Sequence, residues 1–335
     1  MMKLAIDLGS SMTKIYRADA NNGIALFEPS CVAITGEDEK ICAIGKEAKR
    51  LLGKTTGDTH IVYPIYEGTV ADERLAVKML KEFTARAELS SFVRRSETVF
   101  AVPCGIDETG LRGYYELAKA CGFKKMHFVE VPYLAVFGSG IALTEEHPIF
   151  TIDIGAGMTN IAVVSLGGMN AGISINVGGN AMDLSIADRV ANTKGLNIGT
   201  LTSERIKNEI GSLSENARGK TIAEGSSVQN FMPASVSVHA QEIAPCIRIY
   251  IDKVLEYAQL VLNQLSAEVA ADVHRSGLLL TGGIARMPAL KEYIESRLGM
   301  PVALADSPHF ATARGGGVAL RDRKLLAKIE LQLEN

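Results

Sequence analysis

The sequence lacks the features that would place its 335 residues in several special classes of protein. No stretch approaches the roughly 20 consecutive apolar residues that a membrane-spanning helix needs. No long basic run is present, and the formal net charge of −3 gives no electrostatic reason to expect nucleic acid as a partner. The cysteines are scattered and form no C-x-x-C pair, which argues against a metal site or a disulfide framework. We therefore predict reduced core thiols at Cys31, Cys42, Cys104, Cys121 and Cys246.

We also expect no secretory signal at the start of the chain. Residues 1–10, MMKLAIDLGS, lead at once into an apolar strand and an Asp-x-Gly sequence, which leaves no room for the regions of a signal peptide. Apolar residues make up 47% of the chain and charged residues 22%, as in ordinary soluble globular proteins. These properties predict a soluble cytoplasmic protein, which could still contact a membrane surface.

Short apolar, β-branched runs alternate along the chain with segments of helical periodicity. The predicted strands read KLAIDLG, TVFAVP, MHFVEVP, IFTIDIG, NIAVVSL and GLLLTGG. The clearest predicted helices are 72–84, 107–121 and 288–298. Asp72 and Asp107 are the candidate N-caps of the first two, and Pro288 suits the first turn of the third. Strands that alternate with helices in this way predict an α/β protein.

One segment of the sequence occurs twice. AIDLGSSMTKI at 5–15 returns as TIDIGAGMTNI at 151–161, with six of the eleven positions identical. Because no Pro/Ser-rich linker divides the chain, we take each copy as the beginning of one half. The predicted halves are 1–140 and 141–335, with small insert subdomains at about 33–69 and 183–245.

Each copy of the repeat has the composition of a phosphate-binding hairpin. Gly9, Gly155 and Gly157 would let the backbone N–H groups approach an anion closely. Asp7 and Asp153 suit a hydrated Mg²⁺, which keeps its waters and takes one or two carboxylates. A single hairpin of this kind is more often an ordinary turn. Two copies predict one nucleotide held between two loops, with further hydroxyl donors from Ser10, Ser11 and Thr13.

Two further segments support a nucleotide site. In LLLTGGIARMPAL at 278–290, Gly282 and Gly283 would let an adenosine lie against the backbone, although a Gly-Gly turn alone is common. In TSERIKNEIGSL at 202–213, Glu204 and Lys207 are three residues apart and share a face of a predicted helix. Such a pair is, taken alone, most often a solvated ion pair.

Together these motifs resemble the actin and heat-shock-chaperone ATPase superfamily, and within it the MreB family of bacterial actins, with MamK as a near relative. The resemblance runs nearly end to end through FEPSCVAI, IGKEAKRLLGKTTG, GTVAD, SERIKNEIGS, LTGGIARMPAL and ARGGGVAL. It implies an actin-like fold of two duplicated RNase-H-like α/β domains, each with a smaller subdomain, around a nucleotide cleft. It also implies ATP with Mg²⁺, self-assembly into filaments, and contacts with the inner membrane and with membrane-bound wall-synthesis proteins.

The resemblance also implies roles for individual residues. Glu204, Lys207 and the Gly282–Gly283 turn would meet the ribose and base, and Lys14 resembles the phosphate-contacting lysine of eukaryotic actin. Asp7 and Asp153 would hold the metal. The nucleotide-binding residues so implied are Gly9, Ser10, Ser11, Met12, Thr13, Lys14, Gly155, Ala156, Gly157, Met158, Thr159, Gly178, Gly179, Glu204, Lys207, Gly282, Gly283 and Ile284.

Departures from the family fall on the residues that orient the attacking water. MreB-like proteins carry a Glu directly before a Pro where this chain has Val131, and Glu130 lies one residue earlier. One residue is about 100° of rotation on a helix and the opposite face of a strand, so Glu130 would point elsewhere. Met158 replaces the family's water-positioning Thr, and a thioether is a weak acceptor. Asn160 stands where actin has His and MreB has Glu. We expect nucleotide binding with slow or lost hydrolysis; the alternative is a register shift that makes Glu130 the catalytic residue.

Other readings stay open from the sequence. In AELSSFVRRSE at 87–97, the apolar Leu89, Phe92 and Val93 beside two arginines suit an anionic membrane surface, or else a helix end packed on the core. The alternatives to a cell-shape filament are a specialised paralogue that positions organelles or plasmids, and a non-polymerising ATP-dependent switch or kinase of the same fold.

Overall fold

A computed structural model describes residues 1–19, 23–54, 57–144, 147–166 and 168–333. The strands are β1 (Lys3–Leu8), β2 (Met12–Arg17), β3 (Ile24–Pro29), β4 (Val32–Thr35), β5 (Lys40–Ile44), β6 (Thr59–Val62), β7 (Ile65–Tyr66), β8 (Thr69–Val70), β9 (Glu97–Val102), β10 (Lys125–Glu130), β11 (Ile149–Ile154), β12 (Thr159–Ser165), β13 (Gly168–Ile175), β14 (Leu196–Asn197), β15 (Lys220–Ser227), β16 (Pro233–His239), β17 (Leu278–Thr281), β18 (Val302–Leu304) and β19 (Glu330–Leu331). The α-helices are α1 (Lys46–Leu51), α2 (Glu73–Arg86), α3 (Glu108–Ala120), α4 (Val131–Gly138), α5 (Gly179–Lys194), α6 (Thr200–Ile210), α7 (Ala240–Leu262), α8 (Ala267–Ser276), α9 (Leu290–Leu298), α10 (Ala311–Ala319) and α11 (Arg323–Ile329).

Two large sheets have the same topology. In the first, β3, β2 and β1 form an antiparallel meander, and β9 and β10 continue it in parallel. In the second, β13, β12 and β11 form the meander, and β17 and β18 continue it in parallel. The repeated sequence segment therefore begins a repeated sheet, and this duplication confirms the predicted pair of α/β domains.

The central strands are buried on both faces because helices cover both sides of each sheet. Every residue of β9 and of β12 is buried, as expected for strands in the middle of a layered α/β domain. The predicted strands are all present. The predicted caps are confirmed as well, since the Asp72 carboxylate accepts from the Leu75 N–H at 2.8 Å and the Asp107 carboxylate from the Gly110 N–H at 2.7 Å.

Helix α9 begins later than the proline pattern predicts. Its first residue is Leu290, and Ala289 before it has a positive φ of 62°. Pro288 therefore lies outside the helix. A left-handed residue at this place redirects the chain between the Thr-Gly-Gly turn and the helix, which periodicity alone does not reveal.

Two short helices connect the sheets by crossing between them. Helix α4 follows β10 of the first sheet and also packs on β11 and β12 of the second, whereas α10 packs on β1, β2 and β9 of the first. The two helices also pack on each other with their backbones in contact. A Cβ atom on Gly138 would overlap the carbonyl oxygen of Ala311, and one on Gly315 would overlap that of Leu134. Only glycine allows this close approach.

The end of the described chain returns to the first sheet. Strand β19 pairs with β10 in an antiparallel manner, next to α10 on the same domain. A simple division at residue 140 does not separate the two bodies in space, because these last elements pack with the first half.

Each half also carries a small sheet. Strands β5, β4 and β6, with α1 against them, lie within the first predicted insert. Strands β14, β15 and β16 lie within the second, next to α6.

Burial corrects two predictions about surfaces. Leu89 and Val93 are core residues with 1% and 5% exposure, so neither can contact a membrane in this fold, and Phe92 remains exposed at 46%. The five cysteines are free, but Cys42 is exposed and so is not a core thiol. Within the described ranges, no helix is both long and apolar enough to span a bilayer.

We predict that Gly315→Val lowers the free energy of unfolding by about 3 kcal/mol, since the new side chain must push α10 away from α4. Chemical denaturation followed by circular dichroism measures the change. The matched control is Gly113→Ala on α3, where a Cβ meets only Val70 at 3.8 Å. That control should be neutral or stabilising by up to about 1 kcal/mol. Equal effects of the two substitutions would show that the helix crossing is not closely packed.

Candidate nucleotide-binding cleft

A cavity of about 500 Å³ lies between the two sheets. It is lined by the turns at the ends of β1, β11 and β17 and by α5 and α6, so both halves contribute. The sequence-predicted residues that line it are Asp7, Gly9, Ser10, Ser11, Met12, Lys14, Asp153, Gly155, Ala156, Gly157, Met158, Gly179, Glu204, Lys207, Gly282, Gly283 and Ile284.

The two hairpin loops have the same construction. A Cβ on Gly9 would lie 2.8 Å from the Met12 carbonyl oxygen, and one on Gly155 would lie 2.9 Å from that of Met158. Both turns are thus too tight for a side chain at these glycines. The loops also touch across the cleft, because a Cβ on Gly157 would meet the Ser10 hydroxyl at 2.7 Å. Both loops therefore line the same cavity next to each other.

The threonine of each repeat is turned away from the cavity. Thr13 is fully buried, and its hydroxyl lies 2.8 Å from that of Ser30. Thr159 is also fully buried and donates to the Val177 carbonyl oxygen at 2.6 Å. Neither lines the cavity, and both hydroxyls already have protein partners, unlike the other loop residues predicted to contact a nucleotide. Their hydroxyls hold the ends of the hairpins in place.

The N-terminus of α5 supports the second loop. The Gly179 N–H donates to Gly155 O at 3.1 Å and the Asn180 N–H to Ala156 O at 2.8 Å. A Cβ on Gly178 would lie 2.5 Å from Ala156 O. Gly178 therefore packs behind the loop, and Gly179 lines the cavity.

The two aspartates lie at equivalent places with different partners. Asp7 accepts from Lys14 Nζ at 2.7 Å, and both side chains are 15% exposed. Asp153 accepts from the Thr281 hydroxyl at 2.7 Å. Burial raises the pKa of Asp153 to about 6, with a smaller contribution in the same direction from Asp7. Two carboxylates beside an open cavity fit Mg²⁺, which binds through one or two carboxylates together with water and phosphate oxygens.

The wall of the cleft formed by α5 and α6 contains a buried ion pair. Lys207 Nζ donates to Asp183 Oδ2 and to the Gly179 carbonyl oxygen, each at 2.8 Å. Burial raises the pKa of Asp183 to about 6, against the lowering effect of Lys207. Glu204 pairs with Lys49 of the other half. Glu204 and Lys207 share a helix face as predicted, but each has its own partner.

The Thr-Gly-Gly turn brings the backbone of the second sheet to the cavity. Gly282 has a φ of +92°, and a Cβ on it would overlap the backbone of Ile154. Gly283 meets nothing within 4 Å, so its open side faces the cleft. Ile284 packs against Gly179 from this turn.

The water-orienting positions of the family are apolar here. Val131 and Met158 both line the cavity. Glu130 does not line it; its Oε1 accepts from the Gly105 N–H at 2.6 Å at the start of α4. Burial raises the pKa of the Glu130 carboxyl. The carboxylate is thus directed away from the cavity and is not placed to orient a water there.

Asn160 connects the two halves at the base of the cleft. Its Oδ1 accepts from the Cys104 N–H at 2.9 Å, and the Ser174 hydroxyl donates to the Cys104 carbonyl oxygen at 2.6 Å. Both hydrogen bonds run from the second sheet to the first half. The Asn160 amide oxygen is thus occupied by a structural hydrogen bond between the halves, and a neutral amide is not a proton acceptor for water.

Sequence reasoning missed one wall of the cavity. Phe27 on β3 packs edge-on against Phe310 at 5.1 Å, and His309 and Thr312 line the same side. Burial lowers the pKa of His309, and Lys14 adds to this effect. In the sequence, the one indication that residues 309–312 line the cavity is their position: they follow β18, at the carboxyl edge of the second sheet.

The fold and the cavity define the class of the protein: two copies of one sheet, with paired glycine hairpins facing a shared cleft, form an actin-like fold. The chain belongs to the MreB/Mbl family, whose model, described as MreB/Mbl protein, matches residues 1–328. It is 34% identical over 329 residues to the cell shape-determining protein MreB of Escherichia coli strain K12, covering 95% of this chain and 92% of that protein. It is therefore an actin-like protein of the cell shape-determining type.

Solved structures confirm the fold. MreB 5 of Spiroplasma citri bound to AMPPNP matches with a TM-score of 0.91 and 26% identity, covering 96% of this chain and 97% of that one. MreB5 of the same organism bound to ADP matches with a TM-score of 0.89 and 25% identity, covering 97% of each chain. The MamK double helical filament matches at 0.79 with 17% identity, covering 96% and 99%, which shows the fold alone.

We predict that Lys207→Met lowers the free energy of unfolding by about 3 kcal/mol at pH 8, because it leaves the Asp183 carboxylate buried without its cation. At pH 5.5 the loss should be smaller. Without Lys207 the folded pKa of Asp183 rises above about 6, so the folded protein binds a proton at pH 5.5. In the unfolded chain the Asp183 carboxyl, with a pKa of about 3.9, binds no proton at pH 5.5. Protonation therefore favours the folded variant at that pH and reduces the loss of stability.

Urea denaturation at the two pH values measures this difference. Arg205→Met is the matched control, since Arg205 lies on the same helix and pairs with the exposed Glu209. It should cost about 1 kcal/mol or less, equally at both pH values. A pH-independent loss for Lys207→Met would show that the charge of Asp183 is not its cause.

Proposed function

We propose that this protein binds ATP with Mg²⁺ in the cleft and assembles with further copies of itself into cytoskeletal filaments that help determine cell shape. The observation that carries the proposal is the contact between the two glycine hairpins, which line one cavity from the two halves. Membership of the MreB/Mbl family and the match to AMPPNP-bound and ADP-bound MreB5 support it.

Each part of the cleft has its own role in this proposal. The amides of the two loops surround the phosphates, and Lys14 passes from Asp7 to a phosphate oxygen when the nucleotide binds. Asp7 and Asp153 would hold hydrated Mg²⁺, whose charge, when bound, neutralises that of the phosphates. Gly282, Gly283 and Ile284 receive the adenosine.

The same residues support slow hydrolysis. Phosphoryl transfer depends on position and on electrostatic stabilisation, which the loops and the cation supply. Orientation of the attacking water needs a carboxylate or hydroxyl, and Val131 and Met158 offer neither. The bound nucleotide therefore persists as ATP for longer than in a relative with both groups.

Restoring those groups should restore turnover. Val131→Glu with Met158→Thr should raise the rate of phosphate release by about 10²-fold, the contribution of a positioned acid–base group. A colorimetric phosphate assay with saturating ATP and Mg²⁺ measures the rate. Glu130→Gln is the control and should leave the rate unchanged, since Glu130 faces Gly105. A large loss in that control would make Glu130 the catalytic carboxylate.

Self-assembly has a candidate contact at the tip of the β15–β16 hairpin. Val228, Phe231 and Met232 are exposed at 43%, 77% and 61%, and Phe231 has a positive φ of 57°. A tip of this kind suits insertion into another copy, and a head-to-tail contact that does not close produces an open filament.

Electron microscopy of the purified protein with Mg²⁺ and ATP, ADP or no nucleotide tests the proposal. Filaments should form with ATP and persist with little phosphate release in the same samples. Bound nucleotide without filaments in any state would contradict self-assembly and favour a monomeric switch.

Phe231→Asp should abolish ATP-dependent sedimentation without loss of nucleotide binding, because a charge at the tip cannot enter an apolar contact. Phe92→Asp, which changes an exposed aromatic of the first half, is the matched control and should still sediment. Normal sedimentation of the Phe231 variant would exclude the hairpin tip from the contact.

We also propose a cytoplasmic location at the surface of the inner membrane, next to wall-synthesis proteins, as family membership suggests. In the 87–97 segment, Phe92 is the large apolar residue that is exposed, and it lies beside Arg94 and Arg95. Liposome flotation of the Phe92→Asp variant addresses this point.

A further inference from the structure

One ion pair joins the two small subdomains across the mouth of the cleft. Lys49 Nζ lies 3.0 Å from Glu204 Oε1 and 2.8 Å from Oε2. The two residues are 155 positions apart in the chain, one in each half. Over the ranges that the structure describes, no other hydrogen bond or ion pair joins the 33–69 insert to the 183–245 insert.

Both partners are fixed to their own subdomain. Lys49 lies on α1, which packs on β4 and β5 through the fully buried Ala48. Glu204 lies on α6, which packs on α5 and β15 through Ser203 and Ile206. If the two subdomains separate, each side chain moves with its own subdomain and the distance between Lys49 Nζ and the Glu204 carboxylate increases. The ion pair therefore forms only when the cleft is closed.

The ion pair also borders the nucleotide cavity. Glu204 lines the cavity together with Lys207, one helical turn further along α6. Lys49 lies close enough to influence the pKa of Asp183, which lines the same wall. The ion pair therefore lies at the edge of the cavity in which the proposed nucleotide would be held.

We infer that the Lys49–Glu204 ion pair is a latch that holds the cleft closed and limits the rate of nucleotide release. This inference rests on the proposed binding of a nucleotide in the cleft. Lys49 is a positioning residue in this role, because it acts through Glu204 and through the closed arrangement of the subdomains. Breaking the pair should speed release and leave the rate of binding nearly unchanged.

The physical character of the pair makes the inference testable by salt. The side chains are 25% and 33% exposed, so dissolved ions reach them. The Debye length falls from about 30 Å at 0.01 M salt to about 8 Å at 0.15 M, which weakens exposed charge pairs. Release from the wild-type protein should therefore accelerate with salt, and this part of the salt dependence should disappear when Lys49 is neutralised.

The experiment is stopped-flow release of the fluorescent nucleotide etheno-ADP, chased with excess ATP, from the full chain with Mg²⁺. Lys49→Met should speed release about fivefold at low salt, equivalent to about 1 kcal/mol at 1.4 kcal/mol per factor of ten. Lys49→Arg keeps the charge and should release within a factor of two of wild type. Lys46→Met is the matched control, because Lys46 lies on the same helix and pairs with Glu28 of its own half at 3.2 Å.

Equilibrium titration of etheno-ADP separates the possible failures. If the wild-type protein does not bind the nucleotide, the proposed function fails and the latch with it. If it binds normally but Lys49→Met releases at the wild-type rate with the wild-type salt dependence, only the latch is overturned. An equal acceleration by Lys46→Met would also overturn the latch, since it would assign the effect to the surface charge of α1.

Discussion

The crossing of α4 and α10 sets the distance between the two sheets, and the cleft depends on that distance. Gly138 and Gly315 place backbone against backbone, so the two helices cannot move closer without a clash. At this separation the hairpins of the two halves come into contact at Ser10 and Gly157. A larger residue at the crossing would separate the hairpins that the proposed phosphate site combines.

Equivalent positions in the two halves have acquired different tasks. Asp7 lies opposite Lys14 on the neighbouring strand, and Asp153 lies opposite Asn160 at the same place in the second sheet. The first half thereby contributes a cation to the cleft. The second contributes an amide that connects the halves through the backbone of Cys104. In the proposed site, the duplicated backbone would supply two loops for the phosphates, and the side chains that differ between the halves would give each loop its own role.

Much of this architecture follows from local patterns. Apolar runs identified the strands, because a buried strand in a covered sheet has few polar residues. Asp72 and Asp107 identified helix starts, because a carboxylate satisfies free N–H groups there. The repeat at 5–15 and 151–161 identified the paired hairpins, since the glycines are needed for the turn itself. The strands, helix starts and hairpins depend on residues close together in the chain, so they can be predicted from the sequence.

The duplication, the glycine hairpins and the apolar residues at Val131 and Met158 can be read from the sequence alone. The directions of side chains cannot: the fold turns Thr13 and Thr159 into the core and Glu130 towards Gly105. The pairing of Lys49 with Glu204 and the wall around Phe27 also arise there, from residues far apart in the chain. The difference lies in the distance along the chain over which each effect acts. Periodicity and turn chemistry act over a few residues, whereas the cleft is made by contacts between two domains formed from distant parts of the chain.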